Sequence, residues 1–324
     1  MPKRFLRPLA LALIVILICG CFSSCSWGAV KVSLMKDGAS LALVHLIDEN
    51  DKFFDDLDAN YKFTYNNTTN SAAQMFIDGD ADIAVVSADK AALLAANNSE
   101  VVCLAYCSYA SYSIFGNVEE DLSIEELVGN SVYINGKSTS AEIALRHIYD
   151  SKNISAGVNT SIRYSSSNKE LREVLNLNNP SEFVLLTQPF ASSIMLDTAA
   201  REVIDVAKEF KEVEPDVPLI GSCVIAKRKF VKRNKSKVEE FLREYKDSIE
   251  RCKLDNDTAS KLGEEFGIVG SNIIASLILY DTDLELVTGE QMKKNMTAYY
   301  EFIGGKNILT IGKIPTDDFY YSID

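Results

Sequence analysis

Apolar and polar positions along this chain fall into two alternating periods, and the alternation predicts a run of strand–helix units. Val30 to Met35 reads as a strand, Lys36-Asp37-Gly38-Ala39-Ser40 as a break, and Leu41 to Ile47 as a helix. A weaker strand at Tyr61 to Tyr65 precedes an asparagine- and threonine-rich turn and a helix carrying Ala72, Ala73, Met75 and Phe76. The most regular unit spans Asp78 to Leu94. Asp78-Gly79-Asp80 supplies turn chemistry, Ile83 to Val86 is a continuous apolar run of buried parallel-strand type, and Ala88 to Leu94 is helical in composition.

Val101 to Phe115 is longer than an ordinary strand, so it is expected to bend on its way between two parts of the molecule. Beyond it the pattern predicts a short acidic helix at Asp121 to Val128, a strand at Ser131 to Ile134, a loop at Gly136 to Ser140 and a helix at Ala141 to Tyr149. Thr139 and Glu142 stand at capping-box spacing. Strands follow at Ile162 to Tyr164 and Phe183 to Thr187, with a helix at Leu171 to Leu175 between them and Pro189 at a first helical position after them. Ile220 to Ala226 is a returning strand. Val238, Phe241, Leu242, Tyr245 and Ile249 form the apolar stripe of a charged helix over Asn234 to Lys253, and three helical segments, Ala259–Phe266, Ser271–Leu279 and Glu290–Phe302, complete the chain. Strands alternating with helices in this way predict an α/β fold built on largely parallel sheets.

The start of the chain adds an address. Lys3, Arg4 and Arg7 precede an unbroken apolar run from Leu9 to Ile18, which Ile18-Cys19-Gly20-Cys21 closes. The run is shorter than the roughly twenty residues of a bilayer-spanning helix, and its layout is that of a secretory signal. The ending resembles a bacterial lipobox, in which cleavage after Gly20 leaves Cys21 to carry the lipid; Cys25 fits less well, since Phe22 is a poor match at the branched position. Residues 1–20 are therefore read as the signal and residues 21–29 as a tether, on a protein exported and anchored by lipid to the extracytoplasmic face of a bacterial membrane.

Composition narrows the function. The 324 residues carry a formal net charge of −13, which becomes about −16 when the three signal cations are removed. That balance argues against nucleic acid and against electrostatic adhesion to anionic lipid, while 47% hydrophobic residues suffice for a large core. Of the cysteines beyond the start, Cys103 and Cys107 lie four apart in a strand-like run, a spacing of about 13 Å along one face, which forbids a mutual disulfide. With only His45 and His147 as histidines, no zinc spacing exists, and these cysteines, with Cys223 and Cys252, are read as small buried apolar residues. Neither metal nor cofactor is expected.

Five stretches in order carry a resemblance: Met75 to Leu94, Leu122 to Leu145, Leu185-Leu186-Thr187-Gln188-Pro189-Phe190, Cys223 to Lys253, and Pro315-Thr316-Asp317-Asp318-Phe319-Tyr320-Tyr321. Together they resemble extracytoplasmic solute-binding proteins of ABC importers, in the sulfonate/nitrate/taurine and thiamine-precursor branch, over nearly the whole chain after the signal. The resemblance implies a periplasmic-binding-protein-like fold of type II, with two α/β lobes closing on a ligand between them. It implies one lobe from residues 30–110 and 220–324 and another from 111–219, a monomer, a small organic solute as ligand, and permease and ATPase subunits as partners.

In open parallel sheets, ligands sit beyond the carboxyl ends of the strands. The loops with that address supply the candidates Asp37, Gly38 and Ser40, then Ser87 and Asp89, then Gly136, Lys137, Ser138 and Thr139, and finally Gln188; Tyr109 is placed on the cleft floor and Ser222 on the returning strand. Gly136 to Ser140 looks strongest, because a helix start after a glycine presents unpaired N–H groups to an anion. In the family the first loop is built from glycine, proline and threonine, whereas Lys36 and Asp37 stand here, and Asp89 replaces an uncharged residue in the second loop. These departures speak against a sulfonate, and the mixture of Lys137 with Asp37 and Asp89 predicts a zwitterionic ligand or one with a donor-rich end. Two other functions remain open at this point. Related folds include enzymes of the menaquinone side route and of thiamine-precursor metabolism, for which Asp37 or Asp89 would have to act, although no cleft loop holds His or Cys; a solute sensor would use the same cleft.

Overall fold

The computed structural model describes residues 28–52 and 60–322. The signal, Cys21, Cys25 and most of the tether lie outside the described residues. Two sheets organise the rest. A six-stranded sheet has the order β11-β4-β10-β3-β1-β2, and a five-stranded sheet the order β7-β6-β8-β5-β9. In the first, β1 (Val30–Met35) lies between the parallel strands β2 (Tyr61–Asn66) and β3 (Ile83–Ser87). In the second, β6 (Ser131–Asn135) lies between the parallel strands β7 (Ser161–Ser165) and β8 (Glu182–Thr187). Each sheet thus reverses its strand order at the strand next to one edge, β1 or β6, and such reversals are where α/β sheets open a crevice.

The long apolar stretch does bend. It forms β4 (Val101–Tyr109) in the first sheet and β5 (Tyr112–Gly116) in the second, so Ala110 and Ser111 are the crossing. The chain returns through β10 (Ile220–Lys227), and the two crossings are tied together where Ala110 N donates to Leu219 O at 2.8 Å. Gly221 lets them approach: a Cβ there would stand 2.7 Å from the Tyr109 carbonyl oxygen.

Three apolar clusters fill the molecule. One packs the helices Val44–Lys52 and Lys235–Leu254 against the first sheet, with the predicted stripe from Val238 to Ile249 inside it. A second covers the face of the five-stranded sheet around Phe115, Val184 and Leu186. The third is shared by both sheets: Ala84 and Val86 from one, Val132 and Ile134 from the other, with Met292, Met296, Tyr299 and Tyr300 of the helix Gly289–Asn307 wedged into it. Among the described residues no helix is long and apolar enough to cross a membrane.

Several elements differ from the sequence reading. The first helix begins at Gly38 and breaks after Leu41, because the Asp37 carboxylate caps it by accepting from Ser40 N at 3.0 Å; a second helix runs from Val44 to Lys52. The acidic helix at Asp121 to Val128 shrinks to a 3-10 turn, Ile124–Leu127. Pro189 is the cap before the helix Phe190–Asp197 and not its first residue. Strands β9 (Arg201–Asp205) and β11 (Leu284–Val287), and the helix Val206–Val213, carry no expectation from the pattern. Cys103 and Cys107 face different clusters, contrary to the single face that strict alternation requires. The cause is a bulge: the pairing of β4 with β10 skips Leu104, so Leu104 and Ala105 both turn to one side. All four described cysteines are buried and unpaired by disulfides.

Candidate functional site

A pocket of about 220 Å³ lies where the ends of β1, β3 and β8 meet the two crossings. Asp37 and Gly38 enter it from the cap after β1, Ser87 from the end of β3, and Thr187 and Gln188 from the end of β8. Ser108 to Tyr112 form the wall along the first crossing, Gly221 and Ser222 along the second, and Thr282 closes it from the end of the helix Asn272–Asp281. Six of the sequence candidates are therefore brought together: Asp37, Gly38, Ser87, Tyr109, Gln188 and Ser222.

Asp37 is the ionisable centre of this pocket. It is 6% exposed, and its second carboxylate oxygen accepts from the Ser222 hydroxyl at 3.1 Å. Burial pushes its carboxyl from 3.8 up to about 6, against the lowering effect of the Ser40 N–H and the Ser222 hydroxyl. No ion pair joins it to Lys36 or to any other cation among the described residues. Gln188 reaches across the cleft. Its amide donates to Asp281 Oδ2 at 3.1 Å, while its carbonyl accepts from Ser192 N and the Ser192 hydroxyl at the start of the helix Phe190–Asp197.

The other candidates lie elsewhere, each for a visible reason. Ser40 is fully buried, and its hydroxyl donates back to Met35 O. Asp89 sits between the sheets on the far side of β3, where it accepts from the Ser140 hydroxyl and from Tyr299 Oη, the latter at 2.7 Å. Burial pushes its carboxyl up in spite of those two donors, and the cap of its helix is Ser87, whose hydroxyl accepts from Lys90 N. The Gly136 to Thr139 loop stays outside the pocket as well. Thr139 caps the helix Ser140–Ser151 by accepting from Glu142 N, and the Glu142 carboxylate turns back to accept from Ser138 N at 2.6 Å. Burial disfavours that carboxylate, yet Tyr164, Arg146 and Ser138 N hold it below the usual range. The anion attracted to this helix start is the chain's own, and Lys137 lies over the Tyr164 ring at 5.8 Å. Thr310 then covers the loop by donating to Ser138 O at 2.9 Å.

Ser111 and Tyr112 belong to the bent segment Tyr106 to Ser113, which the sequence places on the cleft floor, and Thr187 to the loop Thr187 to Gln188, so the sequence had them at the cleft without singling them out. Thr282 was missed, and it carried no such signal, because β11 was not foreseen. Beyond the Tyr109–Ser111 wall a larger groove of about 960 Å³ opens, lined by Glu202, Asp205, Asp281, Asp283 and Glu285 with Lys208, Lys211 and Lys294. Burial, and then the neighbouring charge of Asp205, holds Glu202 and Asp281 above the usual carboxylate range.

Solved structures with the same arrangement decide the fold. An ABC transporter protein from Parabacteroides distasonis superposes with a TM-score of 0.74 at 14% identity, covering 91% of this chain and 99% of that one. The chain has the periplasmic-binding-protein fold. The periplasmic aliphatic sulphonate binding protein SsuA from Escherichia coli shares this fold with a TM-score of 0.70 at 13% identity, over 91% and 92% of the two chains. So does the Candida albicans CA3427 product, described as having the generic periplasmic binding protein structural fold, with a TM-score of 0.56 at 12% identity over 90% and 93%. No protein-family model and no curated protein matches the sequence. The periplasmic-binding-protein fold places its cleft between two lobes, and the 220 Å³ pocket occupies that position here.

Proposed function

We propose that this protein captures a small organic solute between its lobes and delivers it to an ABC permease. The observation that carries the reading is the pocket itself, set at the order-reversal points of both sheets and walled by the two crossings. Solved neighbours named as ABC transporter and sulphonate binding proteins support it. In this reading residues 30–110 with 220–324 form one lobe and residues 111–219 the other; the ligand contacts are Asp37, Gly38, Ser87, Tyr109, Gln188 and Ser222. Among the described residues lining the pocket, Asp37, Tyr109 and Tyr112 are the titratable ones, with no His, Cys or Lys beside them. That wall suits binding better than acid–base or nucleophilic catalysis.

Cleavage before Cys21 and lipidation there would tether a monomer outside the membrane, and Cys21→Ser should release it or leave it uncleaved. Anchoring that survives Cys21→Ser but not Cys25→Ser assigns the lipid to Cys25. For the binding function, the test is mass spectrometry of small molecules released by denaturing freshly purified protein, followed by titration with whatever is found. Bound solute at a hundred times its dissociation constant should stabilise the fold by about 2.7 kcal/mol and compact it in small-angle scattering. A released product chemically altered from the added solute would replace this reading with an enzymatic one.

A further inference from the structure

We propose that the solute is an organic cation whose protonated nitrogen pairs with the Asp37 carboxylate. This rests on the solute-binding reading above and names the chemistry of the ligand. Ser40 N donates to one oxygen and the Ser222 hydroxyl to the other, with weaker contributions from Ala39 N and the Ser40 hydroxyl. All of these partners are neutral, and the carboxylate borders an open volume with no cation among the described residues to balance it. Around it the wall is neutral: Ser87, Ser108, Ser111, Thr187 and Gln188 offer hydroxyls and an amide, and no Lys, Arg or His lines the pocket among the described residues. An unpaired buried carboxylate is costly, and a ligand cation removes that cost, whereas an anionic ligand adds to it.

Two further observations act in the same direction. The helix start that would have held an anion is occupied by Glu142, and Lys137 lies on Tyr164; among the described residues of the opposite lobe no basic side chain lines the pocket of Asp37. The groove on the other side of the shared Tyr109–Ser111 wall carries Glu202, Asp205, Asp216, Asp281, Asp283 and Glu285 against three lysines. An excess of carboxylates beside a pocket raises the local concentration of cations, and the Tyr109 and Tyr112 rings supply π faces that attract an ammonium group.

The affinity should also follow pH. The titratable groups around Asp37 are the Tyr109 and Tyr112 phenols lining the pocket, the Cys107 thiol on β4 and the Tyr245 phenol on the helix Lys235–Leu254, all pushed above their ordinary values by burial and so neutral in this range. Glu202 and Asp281 titrate in the outer groove. A cation binds the ionised form of Asp37, so its affinity should be constant above pH 7 and fall about tenfold per pH unit below about 6.

The test is calorimetric titration of the wild-type protein, freed of any co-purified solute, with ethanolamine, 1,4-diaminobutane, benzylamine and 4-aminomethylpyrimidine, and with propanesulfonate and nitrate as anions. At least one amine should bind at pH 7.5, neither anion should, and Asp37→Asn should weaken the amine about a hundredfold or more and abolish its pH dependence. Ser222→Ala keeps the carboxylate, so it should retain amine binding to within about tenfold; this variant and the wild-type pH profile decide the matter even if Asp37→Asn folds poorly. Binding of an anion with none of any amine overturns the charge assignment and leaves the solute-binding role standing. Amine binding that is unchanged in Asp37→Asn, or flat between pH 5 and 7.5, also overturns it. Failure of every probe of either sign, with no solute released from fresh protein, removes both readings together.

Discussion

Asp37 and Asp89 occupy matching places and have opposite circumstances. Each stands at the start of a helix that follows a parallel strand of the first sheet, and each is buried enough that its carboxyl is pushed up. Asp89 is enclosed by two hydroxyls, one from Ser140 beneath the second sheet and one from Tyr299 on the bridging helix, so it ties three parts of the molecule together. Asp37 has one backbone N–H and one hydroxyl, and beside it lies a cavity. The same residue type at the same kind of strand end is thus a structural tie in one loop and an open receptor in the next. What separates them is that an open volume borders Asp37, whereas Asp89 lines none of it and is held by the helices of Ser140 and Tyr299.

The comparison can be broken by substitution. The largest effect expected is for Asp89→Ala, which leaves the Ser140 and Tyr299 hydroxyls only each other, at 3.1 Å; hydrogen bonds to a charged group contribute about 1.5–3 kcal/mol each, and denaturant unfolding should show a loss of about 3 kcal/mol. A loss under 1 kcal/mol would mean that Asp89 is no tie. Asp37→Asn should act in the opposite direction. Because its folded carboxyl titrates near 6 and its unfolded one near 3.8, the native state favours the protonated form, so the contribution of this one group to stability is greatest below pH 3.8 and is lost as pH rises through 6. The loss corresponds to roughly 3 kcal/mol. In the absence of ligand the asparagine variant should therefore be more stable than wild type at pH 8, and the gap should close at pH 4; thermal melts at the two values check it.

Gly221→Ala sharpens the geometry of the pocket wall. A methyl group 2.7 Å from a backbone oxygen must push the two crossings apart, which should cost about 1–3 kcal/mol and weaken solute binding without touching Asp37. Tyr299→Phe, the mildest change, removes one donor from Asp89 and should cost about 1 kcal/mol, measured by the same unfolding curves. Equal losses in Tyr299→Phe and Asp89→Ala would assign the whole tie to the tyrosine.

Much of this was legible in the sequence, and the misses have physical causes. Ile83–Ser87 announces itself as an apolar run from Ile83 to Val86, and Val30–Met35 by the alternation of Val30, Val32 and Leu34 with Lys31 and Ser33. The strands that escaped, Arg201–Asp205 and Leu284–Val287, are the outer edges of their sheets, short and mixed in polarity, where half-exposed side chains erase the period. The bend after Tyr109 was readable from length alone. The bulge at Leu104 was not, since an extra residue in a strand leaves no mark in composition. At the site, strand ends located the loops, but only tertiary packing decided which loop ends face the cavity. Asp89 and the Gly136 to Thr139 loop have the right local chemistry and lie outside the pocket because Tyr299 and Thr310, more than 150 positions along the chain, come back to cover them.

Glu142 gives the Gly136 to Thr139 loop one more property. A carboxylate fixed three residues into a helix and folded back on Ser138 N is a tethered competitor, present at an effective concentration on the order of millimolar or above. Any sulfate, phosphate or sulfonate from solution must outcompete it to reach those N–H groups, so the helix start is insulated from the anions of the surrounding medium. Trading that carboxylate for an amide, as in Glu142→Gln, would lift the competition and leave those N–H groups open to a solution anion.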